Sequence, residues 1–255
     1  MMQAEVLSAV VYQIVKTINC GQRYITDLKY VTNESLCVSV VNTKDIRSSN
    51  KFGNGSFRCL STQASYLCYM RCGYEYFIFW EHGYLKCLRT RPNGSSQEPE
   101  PFENWNNYAN PWKGYEPNGI AACKSGGILV CLWNKQVLGH SQVLYITENG
   151  NEDICVSDVN AVVVTDAGGL LRFRYKGLSD DSQFDPYGIC SDSQNNIIIA
   201  DMKKNRIHLI DQNGEFLHYI QYKDMNMPRA LCIDEDNNLY VGEWTSEKIK
   251  VLSRQ

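Results

Sequence analysis

Three acidic residues recur at matching places in the C-terminal part of the chain. Asp158, Asp201 and Glu243 each end an apolar, strand-like run, and a basic residue returns five positions later at Arg206 and Lys248. A carboxylate there can accept hydrogen bonds from the N–H groups of the next turn and pair with the returning base. Repeated residues serve architecture better than a single active site, so we interpret these five as structural turn caps.

The same acids could instead form a polar ring that binds a metal ion. A calcium site needs several oxygen ligands that converge on one point. The sequence offers no further acidic cluster to supply them. We therefore predict no metal and no other cofactor, and metal-dependent hydrolysis or elimination stays open as an alternative.

Histidine and cysteine chemistry finds little support. His208 in "RIHLID" and His218 in "FLHYI" have apolar neighbours, which indicates packing or edge positions, and no Ser-His-Asp or Cys-His arrangement emerges. The eleven cysteines include no C-x-x-C pair, and many lie inside apolar runs, where cysteine behaves as a small buried hydrophobe. The sequence therefore predicts neither a zinc module nor a catalytic residue.

Charge and hydropathy narrow the choice of partner. The net charge is −3, from 25 Lys and Arg against 28 Asp and Glu, so no overall positive field attracts nucleic acid or an anionic membrane. No apolar run reaches the roughly 18 residues that a membrane span needs. The first twenty residues carry Glu5 and Lys16 where a secretory signal would be uncharged. We expect a cytoplasmic protein with no membrane contact.

A repeat organises the elements that would carry these residues. The segment "DPYGICSDSQNNIIIADMKKNRIHLIDQNGEFLHYI" is followed by "NMPRALCIDEDNNLYVGEWTSEKIKVLSRQ", and Pro186 matches Pro228 without a gap (228 − 186 = 42). Asn195 and Asn237 keep the same spacing. Units that recur with a fixed period of about 40 residues, each alternating short strands and turns, are typical of propeller blades.

Looser copies extend the pattern towards the N-terminus, as in "NGNEDICVSDVNAVVVTDAGGLLRFRYKG" and "EPNGIAACKSGGILVCLWN". We predict an all-β, six-bladed β-propeller that occupies residues 1–255 as a single domain. The run "EVLSAVVYQIVKTI" is expected to close the last blade as its missing strand. Residues 91–116 read as a long loop with one short strand, and residues 134–148 leave open an incomplete third blade.

The last hundred or so residues, in particular the repeat copies from 149 onwards and the "LYVGEW" ending, resemble the NHL-repeat propeller of TRIM-NHL proteins, and the expanded invertebrate set most of all. This resemblance implies a C-terminal module that recognises a protein partner, including a ubiquitination substrate, while separate RING and B-box modules carry ubiquitin-ligase activity. The zinc-ligand spacing of those modules is absent from this sequence, so we expect no enzyme activity in these residues.

Binding residues are expected on one rim, where the turns after the second strands and the segments that begin each blade emerge together. Loops on a rigid scaffold commonly carry binding, and Trp, Tyr and Arg are the usual anchors. The predicted partner-binding rim contains Asn118, Tyr187, Lys203, Lys204, Arg229 and Trp244. A protein partner is the main prediction, and single-stranded RNA and a metal-dependent lactonase or lyase are the alternatives.

Overall fold

The structure is a computed structural model in which the described residues form strands and turns. It describes residues 11–21, 23–32, 35–40, 56–59, 67–71, 75–81, 84–90, 100–101, 115–123, 128–134, 146–158, 160–178 and 183–255. Throughout these ranges the regular elements are strands, as the sequence predicts. No described segment is a helix with the length and hydropathy of a membrane span.

The strands are short, as expected for blades, and they are numbered along the chain. They are β1 Tyr12–Asn19, β2 Ile25–Thr32, β3 Ser35–Val40, β4 Ser56–Cys59, β5 Leu67–Arg71, β6 Glu75–Glu81, β7 Tyr84–Thr90, β8 Glu100–Pro101, β9 Tyr115–Ala122, β10 Ile128–Asn134, β11 Ile146–Glu148, β12 Ile154–Asp158, β13 Ala161–Thr165, β14 Leu171–Tyr175, β15 Pro186–Ser191, β16 Ile197–Asp201, β17 Arg206–Ile210, β18 Phe216–Ile220, β19 Pro228–Ile233, β20 Leu239–Glu243 and β21 Lys248–Arg254.

Within the described ranges these strands form six sheets that follow one another along the chain. Sheet 1 is β2–β3–β4, sheet 2 is β5–β6–β7–β8, sheet 3 is β9–β10, sheet 4 is β11–β12–β13–β14, sheet 5 is β15–β16–β17–β18, and sheet 6 is β19–β20–β21–β1. The first strands of successive sheets pack together, β2 on β5, β5 on β9, β9 on β11, β11 on β15 and β15 on β19, and β19 also packs on β2. This arrangement is propeller-like.

The N-terminal strand completes sheet 6. β1 runs antiparallel to β21 from Tyr12 opposite Arg254 to Asn19 opposite Lys248, with one irregularity between Ile14 and Lys16. The predicted pairing of the first strand with the last is therefore present. The beginning of the run expected for this strand, residues 5–10, lies outside the described residues.

Sheets 1 and 3 depart from the regular pattern of four antiparallel strands, which sheet 2 follows. β4 pairs with β3 in parallel, whereas the repeat predicts antiparallel neighbours, and the stretch of chain between Val40 and Ser56 is long enough for the crossover that parallel pairing requires. β8 supplies the single short strand expected within residues 91–116. Sheet 3 has two described strands, and residues 135–145, on which the completeness of the third blade depends, lie outside the described ranges.

Packing between sheets explains the continuous apolar run "IIIA" in β16. Ile197 and Ile199 point into the core between sheets 4 and 5, whereas Ile198 and Ala200 point into the core between sheets 5 and 6. Successive side chains of a strand face opposite sides, so a strand covered on both faces loses its polar alternation. Full burial of each isoleucine contributes about 2–3 kcal/mol, so the two interfaces on either side of β16 contribute strongly to stability.

The two histidines of sheet 5 both occupy packing positions. His208 is fully buried, its Nδ1 lies 2.7 Å from the Tyr175 hydroxyl, and its Nε2 lies 3.3 Å from Asp201 Oδ2. His218 packs on the ring of Tyr12 between β18 and β1, with ring centroids 6.2 Å apart. Both rings lie at interfaces between sheets, in agreement with the packing interpretation.

Candidate functional site

Antiparallel strands place the turns of sheets 4 to 6 at two opposite ends. We call one end the aromatic rim, formed by the described residues among 19–24, 183–187, 202–206, 221–229 and 243–248. The other end, which we call the Asx rim, is formed by the turns 149–153, 166–170, 192–196, 211–215 and 234–238. The predicted binding residues from sheets 5 and 6 all lie on the aromatic rim.

Three of the predicted residues form one stack. The Arg229 guanidinium carbon lies 4.0 Å from the ring centre of Trp244 and 4.7 Å from the ring centre of Tyr187. The sequence prediction of Arg229 as an exposed anchor is wrong, because the two rings cover it and leave it only 8% exposed. Arg229 therefore orders the two half-buried rings, through cation–π contacts that strengthen as the cation loses water.

Close contact between β15 and β19 brings the stack together. Gly188 follows Tyr187, and a Cβ atom at this position would lie 2.3 Å from the Arg229 carbonyl oxygen and 2.9 Å from the Leu231 nitrogen. Only glycine permits this approach of two backbones, so the residue type at position 188 sets the spacing between Tyr187 and Arg229.

Tyr24 extends the stack, although the sequence analysis did not identify it. Its ring meets Trp244 edge-on at 5.1 Å, and its N–H donates to the Trp244 carbonyl at 2.8 Å. Tyr24 adopts φ +59°, which is unfavourable for an aromatic residue, and it remains 45% exposed. The pairing of β1 with β21 holds the following chain here, so an exposed ring is fixed beside Trp244.

Lys203 and Asp185 border the stack on the side of sheet 5. Lys203 Nζ lies 3.7 Å from Asp185 Oδ2, with the lysine side chain 60% exposed and the aspartate side chain 22% exposed. Burial raises the pKa of Asp185 above its usual value, while Lys203 and Arg229 act to lower it. Lys204, the next residue of the predicted rim, is exposed.

Asp201 has the contacts expected of a turn cap, and further contacts besides. Its Oδ1 accepts from the Lys204 N–H at 3.4 Å, and Arg206 Nε lies 3.6 Å from its Oδ2. Oδ1 also accepts from the N–H of Asp185 at 3.4 Å, which joins the turn to the segment that begins the sheet. The Asp201 side chain is fully buried, so it stabilises the rim turn through these contacts and is not itself accessible to a partner.

The corresponding prediction for the last repeat is wrong in part. Glu243 Oε1 accepts from the Tyr222 hydroxyl at 2.8 Å and from the Asn226 N–H at 2.9 Å, so it fixes the segment before β19. Lys248 is exposed, and within the described structure these two residues form no ion pair. The Glu243 side chain thus contacts the segment before β19 and not the turn that precedes Lys248.

Two predicted residues lie in the earlier sheets. Asp158 ends β12, the second strand of sheet 4, at the position that matches Asp201. Asn118 lies within β9, at the irregularity where the pairing of β9 with β10 changes register, and it corresponds to Tyr187 in the repeat. The structure thus gives each the expected place in its sheet.

The Asx rim contains the repeated turn caps that the sequence analysis overlooked. Asp192 Oδ1 accepts from the N–H groups of Gln194 and Asn196, both at 2.9 Å, and its Oδ2 accepts from the Asn196 side-chain amide. Asp234 makes the same three contacts at the matching position of the next repeat. The sequence signal for these caps is the pattern Asp-x-x-Asn-Asn, which both copies contain.

Neighbouring turns on the Asx rim also bond to one another. Asn195 donates its side-chain amide to Asn151 at 3.2 Å, and Ser193 donates its N–H to Asn237 at 3.0 Å. Asn195 and Asn237 both adopt positive φ, at +67° and +61°, which asparagine tolerates well. This rim therefore repeats one structural unit from sheet to sheet.

The two rims differ in charge. The five Asx-rim turns contain nine Asp and Glu residues and neither Lys nor Arg. The aromatic rim, within its described residues, exposes five cations and two carboxylates, which are Arg23, Lys203, Lys204, Lys223 and Lys248 against Asp224 and Glu247.

A metal site was the alternative role for the repeated acids. The described ranges contain no group of three or more His, Cys, Asp or Glu side chains placed to hold an ion.

Comparisons with known protein sequences give one short match. No protein-family model matches the chain. A 50-residue stretch is 36% identical to protein lin-41 of Caenorhabditis elegans and covers 20% of this chain but only 4% of lin-41. The similarity thus spans a small fraction of that relative's length.

Similar solved structures cover most of the chain. A streptogramin B lyase matches with a TM-score of 0.60 at 15% identity, over 95% of this chain and 86% of that one. A Bacteroides thetaiotaomicron protein of unknown function matches at 0.65 and 13%, over 91% and 70%. The WD40 propeller domain of Doa1 matches at 0.56 and 12%, over 96% and 97%. At such identities the likeness concerns the fold, which is propeller-like.

Proposed function

We propose that the chain is a non-catalytic recognition module that binds a protein partner through its aromatic rim. The observation that carries this proposal is the stack of Tyr24, Trp244, Arg229 and Tyr187. Aromatic rings held in a fixed orientation lose little side-chain entropy on binding, and Trp, Tyr and Arg are the residue types that dominate interface energetics. The ring spacing and the supporting hydrogen bonds are already present in the chain alone.

The proposal includes a ring of six blades within one domain, closed by β1. Contacts between successive sheets, including β19 on β2, support it. The resemblance to TRIM-NHL proteins, together with the match to lin-41, supports a role in selecting targets for ubiquitin-dependent turnover, which we propose takes place in the cytoplasm. The partner would then be a ubiquitination substrate or an adaptor protein.

Site-specific photo-crosslinking in the full-length chain tests the rim assignment. A photoreactive amino acid in place of Lys204 should crosslink to a protein from cells that express the chain, and the same residue in place of Leu170 should not. Leu170 is 72% exposed and belongs to the Asx rim, so it is a matched surface control. Equal crosslinking from both positions would remove the aromatic rim from the proposal.

A combined variant tests the same surface by loss of binding. Trp244→Ala, Tyr187→Ala, Lys203→Ala and Lys204→Ala together should abolish the crosslink or capture of that protein, while thermal unfolding remains cooperative. Leu170→Ala with Leu217→Ala, both at exposed positions, should leave it unchanged. Capture that survives the combined variant in a folded chain contradicts the proposal.

The enzyme and RNA alternatives have separate tests. A metal-dependent lyase or lactonase predicts bound metal in stoichiometric amount after dialysis, measured by elemental analysis. An RNA-binding rim predicts affinity for oligouridine that falls steeply with salt as phosphate contacts are lost.

A further inference from the structure

The aromatic rim has a layered distribution of charge. Its buried carboxylates bind to neighbouring residues of the same chain: Asp201 pairs with Arg206, and Glu243 accepts hydrogen bonds from Tyr222 and Asn226. The groups that reach solvent are mainly cationic, five against two in the described part of the rim. Among the described residues of this rim, the exposed cations therefore outnumber the exposed carboxylates, although the net charge of the chain is −3.

The cations lie in turns that also carry the stacked residues or border them along the chain. Lys203 and Lys204 follow β16 on the side of Tyr187, whereas Arg23 precedes Tyr24 and Lys248 follows the turn of Trp244. Arg23 is 61% exposed at its side chain and pairs with Glu247 at 3.1 Å, and such exposed pairs exchange partners at little cost. A ligand carboxylate can therefore find a cation on either side of the rings.

Tyr24 provides the apolar contact between these cations. It is the one ring of the stack that is exposed, and its backbone stays in an unfavourable φ region because the Trp244 carbonyl holds its N–H. Unfavourable backbone conformations persist where the surrounding structure enforces them, and they are frequent at ligand clamps. The ring is thus fixed before any ligand arrives, which reduces the entropic cost of binding.

A polyanion fits this surface less well than a short acidic segment. Glu247, Asp224 and the partly exposed Asp185 lie among the cations and would repel a backbone that carries a charge at every nucleotide. A peptide can place one or two carboxylates against the lysines and keep uncharged residues opposite the rim acids. A second copy of the chain is the rival occupant, because its Asx rim exposes Glu152, Glu215, Glu235 and Asp236, and a measurement of self-association tests for it.

We infer that the aromatic rim binds an extended acidic peptide segment, in which Asp or Glu contacts Lys203 and Lys204 and an adjacent aromatic or proline ring stacks on Tyr24. The inference rests on the proposed function and adds the chemistry of the partner. Tyr24 becomes a partner-contacting residue contributed by the N-terminal part of the chain.

Selection from a displayed library tests the inference directly. Random peptides about twelve residues long, which span roughly 40 Å when extended, are selected on the full-length chain. Enriched peptides should combine acidic residues with an aromatic or proline residue, and synthetic copies should bind at least about tenfold more weakly to Tyr24→Ala and to Lys204→Glu, as expected for an anchor and for a charge reversal. Tyr24→Phe should retain binding, and Leu170→Ala is the control.

The possible outcomes separate this inference from the proposed function. Peptides that lack acidic residues but still lose binding with Trp244→Ala would overturn the acidic-segment inference and leave the recognition rim in place. Failure to enrich any peptide, or peptides that ignore both Trp244→Ala and Tyr24→Ala, would overturn both. Tight binding of oligouridine that competes with the peptide, or self-association that Lys204→Glu abolishes in sedimentation, would also overturn the acidic-segment inference.

Discussion

The two rims of sheets 4 to 6 are built from the same repeat but differ in what the copies preserve. On the Asx rim, Asp192 and Asp234 make the same hydrogen bonds in successive sheets, and adjacent turns bond to one another. On the aromatic rim, the corresponding positions hold Tyr187 and Arg229, which differ and stack together. Repetition therefore marks the scaffold, and divergence within the same register marks the candidate binding surface.

The largest expected effect concerns the contact that holds the aromatic rim together. Gly188→Ala places a Cβ atom 2.3 Å from the Arg229 carbonyl oxygen, so β15 and β19 must move apart. We expect a loss of about 2–3 kcal/mol in the free energy of unfolding, as for other overpacked sites, measured by urea denaturation. A variant as stable as the parent would show that the close approach does not define the rim.

The next effect tests whether the Asx rim is a repeated scaffold. Asp192→Ala and Asp234→Ala each remove an acceptor for two backbone N–H groups, so each should cost about 2 kcal/mol of unfolding free energy. The two losses should be similar because three contacts are shared, with the larger loss at Asp234, which also accepts from the Tyr240 hydroxyl at 3.2 Å. A loss confined to one of them would contradict the equivalence of the copies.

A smaller effect is expected from a residue difference between two turns of the Asx rim. Asn149 occupies the place of Asp192 in sheet 4, and its side-chain amide donates to Asp153 at 3.0 Å, which reverses the donor and acceptor. Asp192→Asn alone should cost about 1 kcal/mol, since its amide would face the Asn196 amide. Adding Asn196→Asp should recover part of that loss in a double-mutant cycle of denaturation midpoints.

The smallest expected effects are the pH responses of two partly buried titratable groups, His218 between sheets 5 and 6 and Asp185 on the aromatic rim. Burial lowers the pKa of His218 below 6.5, so the unfolded chain binds more protons and stability falls as pH drops through 6.5. Burial raises the pKa of Asp185 above 3.8, so the folded chain binds more protons and stability rises as pH drops towards 3.8. His218→Phe and Asp185→Asn should therefore change the pH dependence of the unfolding temperature in opposite directions.

The sequence predicted the fold better than it predicted the site. The constant spacing between "DPYGIC" and "NMPRALC" located sheets 5 and 6 because local turn chemistry and strand burial repeat together. It also placed Tyr187, Arg229 and Trp244 at one end, since register along antiparallel strands determines which turns share an edge. Arg229 was nevertheless assigned to the surface, because sequence does not reveal that two rings cover it.

Tyr24 shows what repeat analysis misses. It lies far from Trp244 along the sequence, and no copy of the repeat contains it. Only the pairing of β1 with β21 brings it to the stack, and its positive φ depends on the hydrogen bond to Trp244. A residue whose conformation depends on a distant partner leaves no periodic signal.

The union of β1 with β21 also has a consequence during protein synthesis. β1 is synthesised before the other described strands of the chain. Asn19 can pair with Lys248, its partner in β21, only after Lys248 has emerged from the ribosome. Until then Trp244 has only just been made or does not yet exist, and Tyr24 has no carbonyl to hold it. A nascent chain therefore completes the proposed recognition surface only after β21 has been synthesised, so an unfinished molecule lacks that surface.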